Sequence, residues 1–341
     1  MRAIVQTGTK SVEVRDIERP EIGPNDVLVD VKYAGVCGSD VHAFLLMDGF
    51  EWIQVPRIMG HEYTGHVVET GEEVTRFQPG DAVVEAPIHP CGECHQCEIG
   101  EMNVCQNTTI TGMHTDGAFT EFTSVHEEHL IKIPNSIPTK HAALTEPLSI
   151  AARSVYDRST VTPGDTAIVQ GPGPIGVLTA AVLDSMGVDV VLSGIEKDTK
   201  YRLPLVEQLG IDTIIAQEGT LPEFVDSYTD GIGVDTVFDT TGHKVGIENS
   251  VDLVRKGGEI VIIGLPGEAS ELFFSPIVRA ELDINAAYGA TKMNFKQSLR
   301  TLEMGNIDAE KIIDTRYSAD NPSTAFNDFR AGKTCKPMFS F

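Results

Sequence analysis

The chain has 341 residues, more than one compact core usually holds, and 41% of them are apolar, so two globular domains are expected. Fifty acidic side chains against 26 basic ones leave a net charge of −24, which excludes nucleic acid and anionic lipid as partners. No run of 18 apolar residues occurs and Met1 to Gly8 has no signal-like pattern, so the expectation is a soluble cytoplasmic protein with no membrane span. The acidity has two readings: an ordinary acidic surface, or a cytoplasm salty enough to screen the self-repulsion.

Residues 1 to about 135 read as β-rich. Short apolar runs such as Val27–Val31 are broken by turns at Gly23-Pro24-Asn25, Pro79-Gly80-Asp81 and Asp116-Gly117, a spacing that suits a small barrel-like fold. Within it lie Cys37, in Gly35-Val-Cys-Gly-Ser-Asp-Val-His42, and His61 and Glu62, in Gly60-His-Glu-Tyr-Thr-Gly-His66. A mixed sulfur, nitrogen and oxygen set with fewer than four protein ligands is what an open, catalytic zinc needs. His61 and His66 are five apart, one too many for the H-E-x-x-H of a zinc protease, so His66 is read as structural.

Cys91, Cys94, Cys97 and Cys105 form a C-x2-C-x2-C-x7-C array. Clustered cysteines in an intracellular chain point to metal rather than disulfides. Four thiolates close a tetrahedral zinc site and leave no position for substrate, so this zinc is expected to be structural. His89 and His95 are read as surface residues, and Cys335 as a small packed one.

From Thr139 to Tyr156 the pattern predicts a helix, which carries Glu146. Strands then alternate with helices: Thr166–Gln170, a helix to about Gly187, Val188–Ser193, a helix closing at Leu209-Gly210, a strand from Val234, a helix over about 244–254, and a strand from Glu259. Alternation of this kind implies a parallel sheet covered on both faces. The tail, about 290–341, is mixed.

Gly171-Pro-Gly-Pro-Ile-Gly176 matches G-x-G-x-x-G between an apolar strand and a helix. Gly171 would make the tight turn, Gly173 would let backbone approach a pyrophosphate, and Gly176 would let helix and strand pack closely. Pro174 and Ile175 open the helix, whose N-terminus favours an anion. An NAD site usually has an acid at the end of the second strand; here Ser193-Gly194 stands there, with Glu196 two residues on. Ser193, the space at Gly194 and the cations Lys197, Lys200 and Arg202 suit a 2′-phosphate, or the cations form a solvated helix face. NADP is favoured over NAD, and dual use is acceptable.

Taken in order, the Cys37 motif, Gly60-His-Glu, the four-cysteine lobe, Asp116-Gly117, Glu146-Pro-Leu and the glycine loop resemble the zinc-containing medium-chain dehydrogenase/reductase family over essentially the whole chain. The likeness is greatest to its sorbitol (polyol) and L-threonine 3-dehydrogenase branch. The resemblance implies an α/β fold: a GroES-like β-rich catalytic domain, residues 1–152 and 289–341, with two zinc sites, and a doubly wound Rossmann domain, residues 153–288, for the nicotinamide cofactor. It implies catalytic zinc on Cys37, His61 and either Glu146 or Glu62, with the other glutamate behind it. It makes Ser39 the acceptor of the alcohol proton, His42 the outer member of the relay, Asp40 the orienter of a ligand, and the segment 44–54, with Trp52, a lining of the substrate site. Oxidation of a secondary alcohol of a small polar substrate (a polyol, a sugar or an amino alcohol) in a homodimer or homotetramer follows. Ala118, Arg153 and Gly194 depart from the family pattern. The alternative is a non-catalytic, cofactor-binding homologue.

Overall fold

A computed structural model of the chain describes residues 1–47, 50, 52–217 and 219–341; Asp48, Gly49 and Glu51 of the segment 44–54 lie outside the described residues. Two compact units result. One comprises residues 1–149, 289–305 and 312–341, the other residues 150–288 and 306–311. The division therefore falls at Ser149/Ile150, three residues before the boundary the resemblance implies, and residues 306–311 group with the second unit.

The first unit is built on a seven-stranded sheet. Strand Asp26–Gly35 lies at its centre, antiparallel to Glu62–Thr70 on one side and to the C-terminal strand Lys336–Ser340 on the other, with Phe122–His126 also pairing to it. Alternation sets the faces: Val27, Val29 and Val31 are fully buried on the core side. The tail is held by aromatic packing, Phe44 stacked on Phe326 at 5.0 Å and Phe119 edge-on to Phe339 at 5.2 Å. Burial of each such ring is worth about 2–3 kcal/mol, which gives the tail its return path to a sheet begun some 300 residues earlier.

In the second unit six strands are all parallel, in the order Asp212–Ile215, Asp189–Gly194, Thr166–Gln170, Val234–Asp239, Val254–Ile262, Asp283–Ala286. Numbered along the chain this is 3-2-1-4-5-6, the order of a Rossmann sheet. The central strands are apolar without alternation, Ile168, Val237 and Phe238 being fully buried, because helices cover both faces.

One predicted element is corrected. Thr139–Tyr156 is two helices, Thr139–Ala142 and Thr145–Tyr156, with the break at Ala143-Leu144. Pro147 explains the restart: lacking an N–H, it is tolerated only in a first turn.

Candidate metal centres and cofactor loop

Cys37 is the N-cap of the helix Gly38–Leu45. Its N–H donates to Asp40 Oδ2 at 2.9 Å, which fixes the chain entering the helix. Glu62 opens the neighbouring strand Glu62–Thr70, and His61 directly precedes it after Gly60, whose φ is +94°. A Cβ at Gly60 would lie 2.3 Å from the Phe119 ring, so only glycine permits the turn that delivers His61. Ligand atoms of Cys37, His61 and Glu62 lie within 4.8 Å of one another. Glu146 is not in that set, but its charge acts on His61. Burial and then the charge of Glu62 raise its carboxyl to about 7.

Around this set the polar groups are ordered. Asp40, fully buried, faces His61 Nδ1 at 3.6 Å, leaving Nε2 for a metal, the usual division of an imidazole's two nitrogens. The Ser39 hydroxyl is 3.4 Å from that same Nε2. His42 is half-buried, edge-on to Phe50 at 5.4 Å, and burial lowers its pKa, favouring the neutral ring.

Lys336, unnoticed in the sequence, completes the set. It is 1% exposed and donates to both oxygens of Glu62, at 2.5 and 2.8 Å, and to Val36 O at 3.1 Å. Its only sequence signal is a lysine placed just before the apolar run Pro337-Met-Phe339.

The four-cysteine lobe fits a zinc ion. Sγ separations are 3.5 Å for Cys94–Cys97, 3.7 Å for Cys94–Cys105 and 3.5 Å for Cys91–Cys105, close to the ~3.8 Å edge of a tetrahedron with ~2.3 Å zinc–sulfur bonds. Backbone N–H groups of Cys91 and Asn107 donate to Cys105 Sγ, and those of Gln106 and Cys97 bring the Cys94 thiol down to about 6. At Cys94 these donors favour the thiolate, whereas burial pushes the Cys97 thiol up to about 12. The Cys37–His61–Glu62 set also fits: its donors are mixed, as an open site requires, and the imidazole is already oriented.

His95 is exposed, as expected. His89 is not a plain surface residue: its Nε2 is 2.7 Å from the buried Glu85 carboxylate and its ring stacks on His129 at 3.7 Å.

The glycine loop has the shape of a phosphate cradle. Gly171 has φ +97°, a Cβ at Gly173 would meet nothing within 4 Å, and a Cβ at Gly176 would lie 1.9 Å from Gly171 O. Gly173 caps the helix Pro174–Met186, with Pro174 and Ile175 in its first turn. At the end of the second strand Ser193 is buried, and a Cβ at Gly194 would meet Leu203 Cδ2 at 2.8 Å and Pro172 Cγ at 3.0 Å. Glu196, Lys197 and Lys200 are exposed. Arg202 is not part of a solvated cationic face: it is 8% exposed and lies 3.9 Å from buried Asp198.

Residues 23–135 match the family model of the alcohol dehydrogenase GroES-like domain, and residues 174–304 that of zinc-binding dehydrogenases. The chain is 32% identical to a sorbitol dehydrogenase of Halalkalibacterium halodurans, with 100% of this chain and 99% of the relative covered. It is 33% identical to an L-threonine 3-dehydrogenase of Pyrococcus furiosus, with 99% and 98% covered. Among solved structures, a zinc-binding dehydrogenase of Sinorhizobium meliloti bound to NADP has a TM-score of 0.91 at 29% identity, covering 100% of this chain and 99% of that one. The 2R,3R-butanediol dehydrogenase of Bacillus subtilis has a TM-score of 0.90 at 28% identity, with the same coverage.

Proposed function

Because the chain belongs to the zinc-containing medium-chain dehydrogenase family, and is a zinc-dependent NAD(P) alcohol dehydrogenase, we propose that its reaction runs on Cys37, His61 and a glutamate as metal ligands, with Ser39 and His42 as the proton path. The observation that carries this assignment is the approach of the Cys37, His61 and Glu62 donor atoms to within 4.8 Å. The substrate is a small polar secondary alcohol, oxidised to a ketone.

Held by these residues, a zinc ion would supply a Lewis acid for the alcohol oxygen, and a nicotinamide cofactor would supply the hydride acceptor. Asp40 holds His61 with Nε2 toward the metal. Ser39 Oγ, beside that nitrogen, accepts the alcohol proton and relays it toward neutral His42 and solvent. Lys336 holds Glu62 in place, and Glu146 stands as the alternative carboxylate ligand. Cys91, Cys94, Cys97 and Cys105 would hold a structural zinc.

In this reading the catalytic domain spans residues 1–152 and 289–341, and residues 153–288 bind the cofactor through Gly171, Gly173, Pro174, Ile175 and Gly176. NADP is preferred to NAD. The absence of a carboxylate at Gly194, the commitment of Asp198 to the Ile195 N–H at 3.1 Å, and the exposure of Lys197 and Lys200 support that preference. The protein works in the cytoplasm as a homodimer or homotetramer. Exposed Phe273, Phe274 and Val278 beside the edge strand Asp283–Ala286 support association.

Initial rates of NAD and NADP reduction against polyols, L-threonine, aldoses, sugar phosphates and diols, with zinc present, test the reading. Cys37→Ala should remove turnover while the fold survives. Undiminished activity after metal depletion would overturn the mechanism.

A further inference from the structure

Arg57 is an arginine at the edge of the first unit's core, 4% exposed, four residues before His61. One terminal nitrogen, Nη1, donates to Met113 O. The other, Nη2, and Nε are buried and have no hydrogen-bond partner. In a guanidinium these two N–H groups lie on the edge away from Cδ and point the same way. They form the fork that binds a carboxylate or phosphate through two parallel bonds. Buried donors are almost always paired, so an unpaired fork asks for a missing acceptor.

Carboxylates nearby do not fill it. Asp40 and Asp116 both act electrostatically on Arg57. Asp40, however, gives one oxygen to Cys37 N and turns the other toward His61, while Asp116 accepts from Ile58 N at 2.9 Å. In a chain with 50 acidic side chains, no described one closes the fork.

The surroundings point to substrate. Arg57 lies within electrostatic reach of His114, whose ring stacks on exposed Trp52 at 4.3 Å. His114 Nδ1 accepts from Ile110 N at 3.2 Å, so in the neutral ring Nε2 bears the hydrogen and is a further donor. Trp52 stacks on Phe50 at 6.4 Å, and Phe50 meets His42 edge-on at 5.4 Å. One run of rings thus links the arginine's neighbourhood to the proposed proton path.

We propose that Arg57 is a further substrate-binding residue and that the substrate is an anionic alcohol, bearing a carboxylate or phosphate that the Nε–Nη2 fork receives. The inference rests on the dehydrogenase reading and names the substrate class of its site.

The test compares three six-carbon compounds, sorbitol, D-gluconate and sorbitol 6-phosphate, on the zinc-loaded enzyme. Calorimetric binding and steady-state turnover are both read. One anion should exceed sorbitol in kcat/KM by at least a hundredfold, and which one distinguishes carboxylate from phosphate. Arg57→Gln should cut that preference fiftyfold or more, chiefly through KM, while the rate with sorbitol and the affinity for cofactor stay within threefold. Arg57→Lys keeps the charge without the fork and serves if the glutamine variant does not fold; it should lose at least tenfold for the anion. Equal use of sorbitol and both anions, or an Arg57 variant that loses neutral and anionic substrates alike, overturns the proposal and leaves the dehydrogenase intact. Silence with every alcohol counts against the dehydrogenase reading. Calorimetry then still decides: an anion that binds wild type and not the variant supports the fork, and no anion binding at millimolar concentration overturns it.

Discussion

The Lys336 ammonium lies 2.5 and 2.8 Å from the two oxygens of Glu62, and the two residues are 274 positions apart. Neither side chain is more than 1% exposed. Lys336 reaches this place because strand Lys336–Ser340 pairs with Asp26–Gly35, setting Met338 opposite Gly35, itself opposite Glu62. The last strand of the chain therefore holds a carboxylate of the proposed metal site.

Breaking that pair from one side should be costly. Lys336→Met leaves the buried Glu62 carboxyl without its partner, a loss worth about 3–5 kcal/mol. The expected result in chemical denaturation of metal-free protein is a loss of that order, with much of it recovered in the double variant Lys336→Met/Glu62→Gln. A single variant as stable as its parent would show that the lysine does not hold the glutamate.

The lobe of four cysteines should behave as a separate structural element. Cys94→Ser should reduce bound zinc by one of two equivalents per chain and lower the melting temperature by several degrees, each kcal/mol being worth about 2–4 °C in a domain of 150–250 residues. Metal analysis and a thermal melt on the same sample check both parts. Full zinc content in the variant would show that the array does not hold a metal.

How far the sequence reveals these features depends on their range. The cysteine array and the glycine loop are legible because their residues fall within 15 and 6 consecutive positions. The parallel sheet is legible through its alternation of apolar strands and helices. The Lys336–Glu62 pair is not, since no local pattern links a lysine near the C-terminus to a glutamate near position 60. Arg57 is missed for a similar reason: its burial and its bond to Met113 O, 56 positions away, are tertiary. Helix formers run through Thr139–Tyr156, which hides the break, although Pro147 marks where the second helix must begin. The burial of Arg202 against Asp198 is likewise tertiary, and a cation at a helix start gives no sign of it.

Gly176 offers a test of the cofactor loop that does not touch the metal. A Cβ there would lie 1.9 Å from Gly171 O and 2.7 Å from Thr240 Oγ1. Thr240 Oγ1 donates to Gln170 O and Gly171 O, so the loop is pinned and has little room to give. Gly176→Ala should push the loop out of shape and weaken NADPH binding at least tenfold, about 1.4 kcal/mol. Fluorescence titration of the zinc-loaded variant reads this directly. Unchanged affinity would mean that the phosphates are not held here.

The stacked histidines predict how stability responds to acid. His129 lies 3.7 Å from the His89 ring, near-parallel, and 6.0 Å from His126, with Lys292 also nearby. Burial first, then the charges of His89, Lys292 and His126, lowers its pKa to about 3. In the unfolded chain the same imidazole takes a proton near pH 6.5. Between those values the unfolded state binds the extra proton, so stability is complete above about pH 6.5 and falls as the pH drops toward 3. His129→Phe keeps the stack and removes the titration. Its melting temperature should therefore fall less than that of the parent between pH 7 and pH 5, measured at constant ionic strength with zinc present. Ligand protonation at the metal centres is common to both proteins and cancels in the comparison. Parallel slopes for the two would mean that His129 is free to protonate in the folded protein, and that the stack opens at no cost.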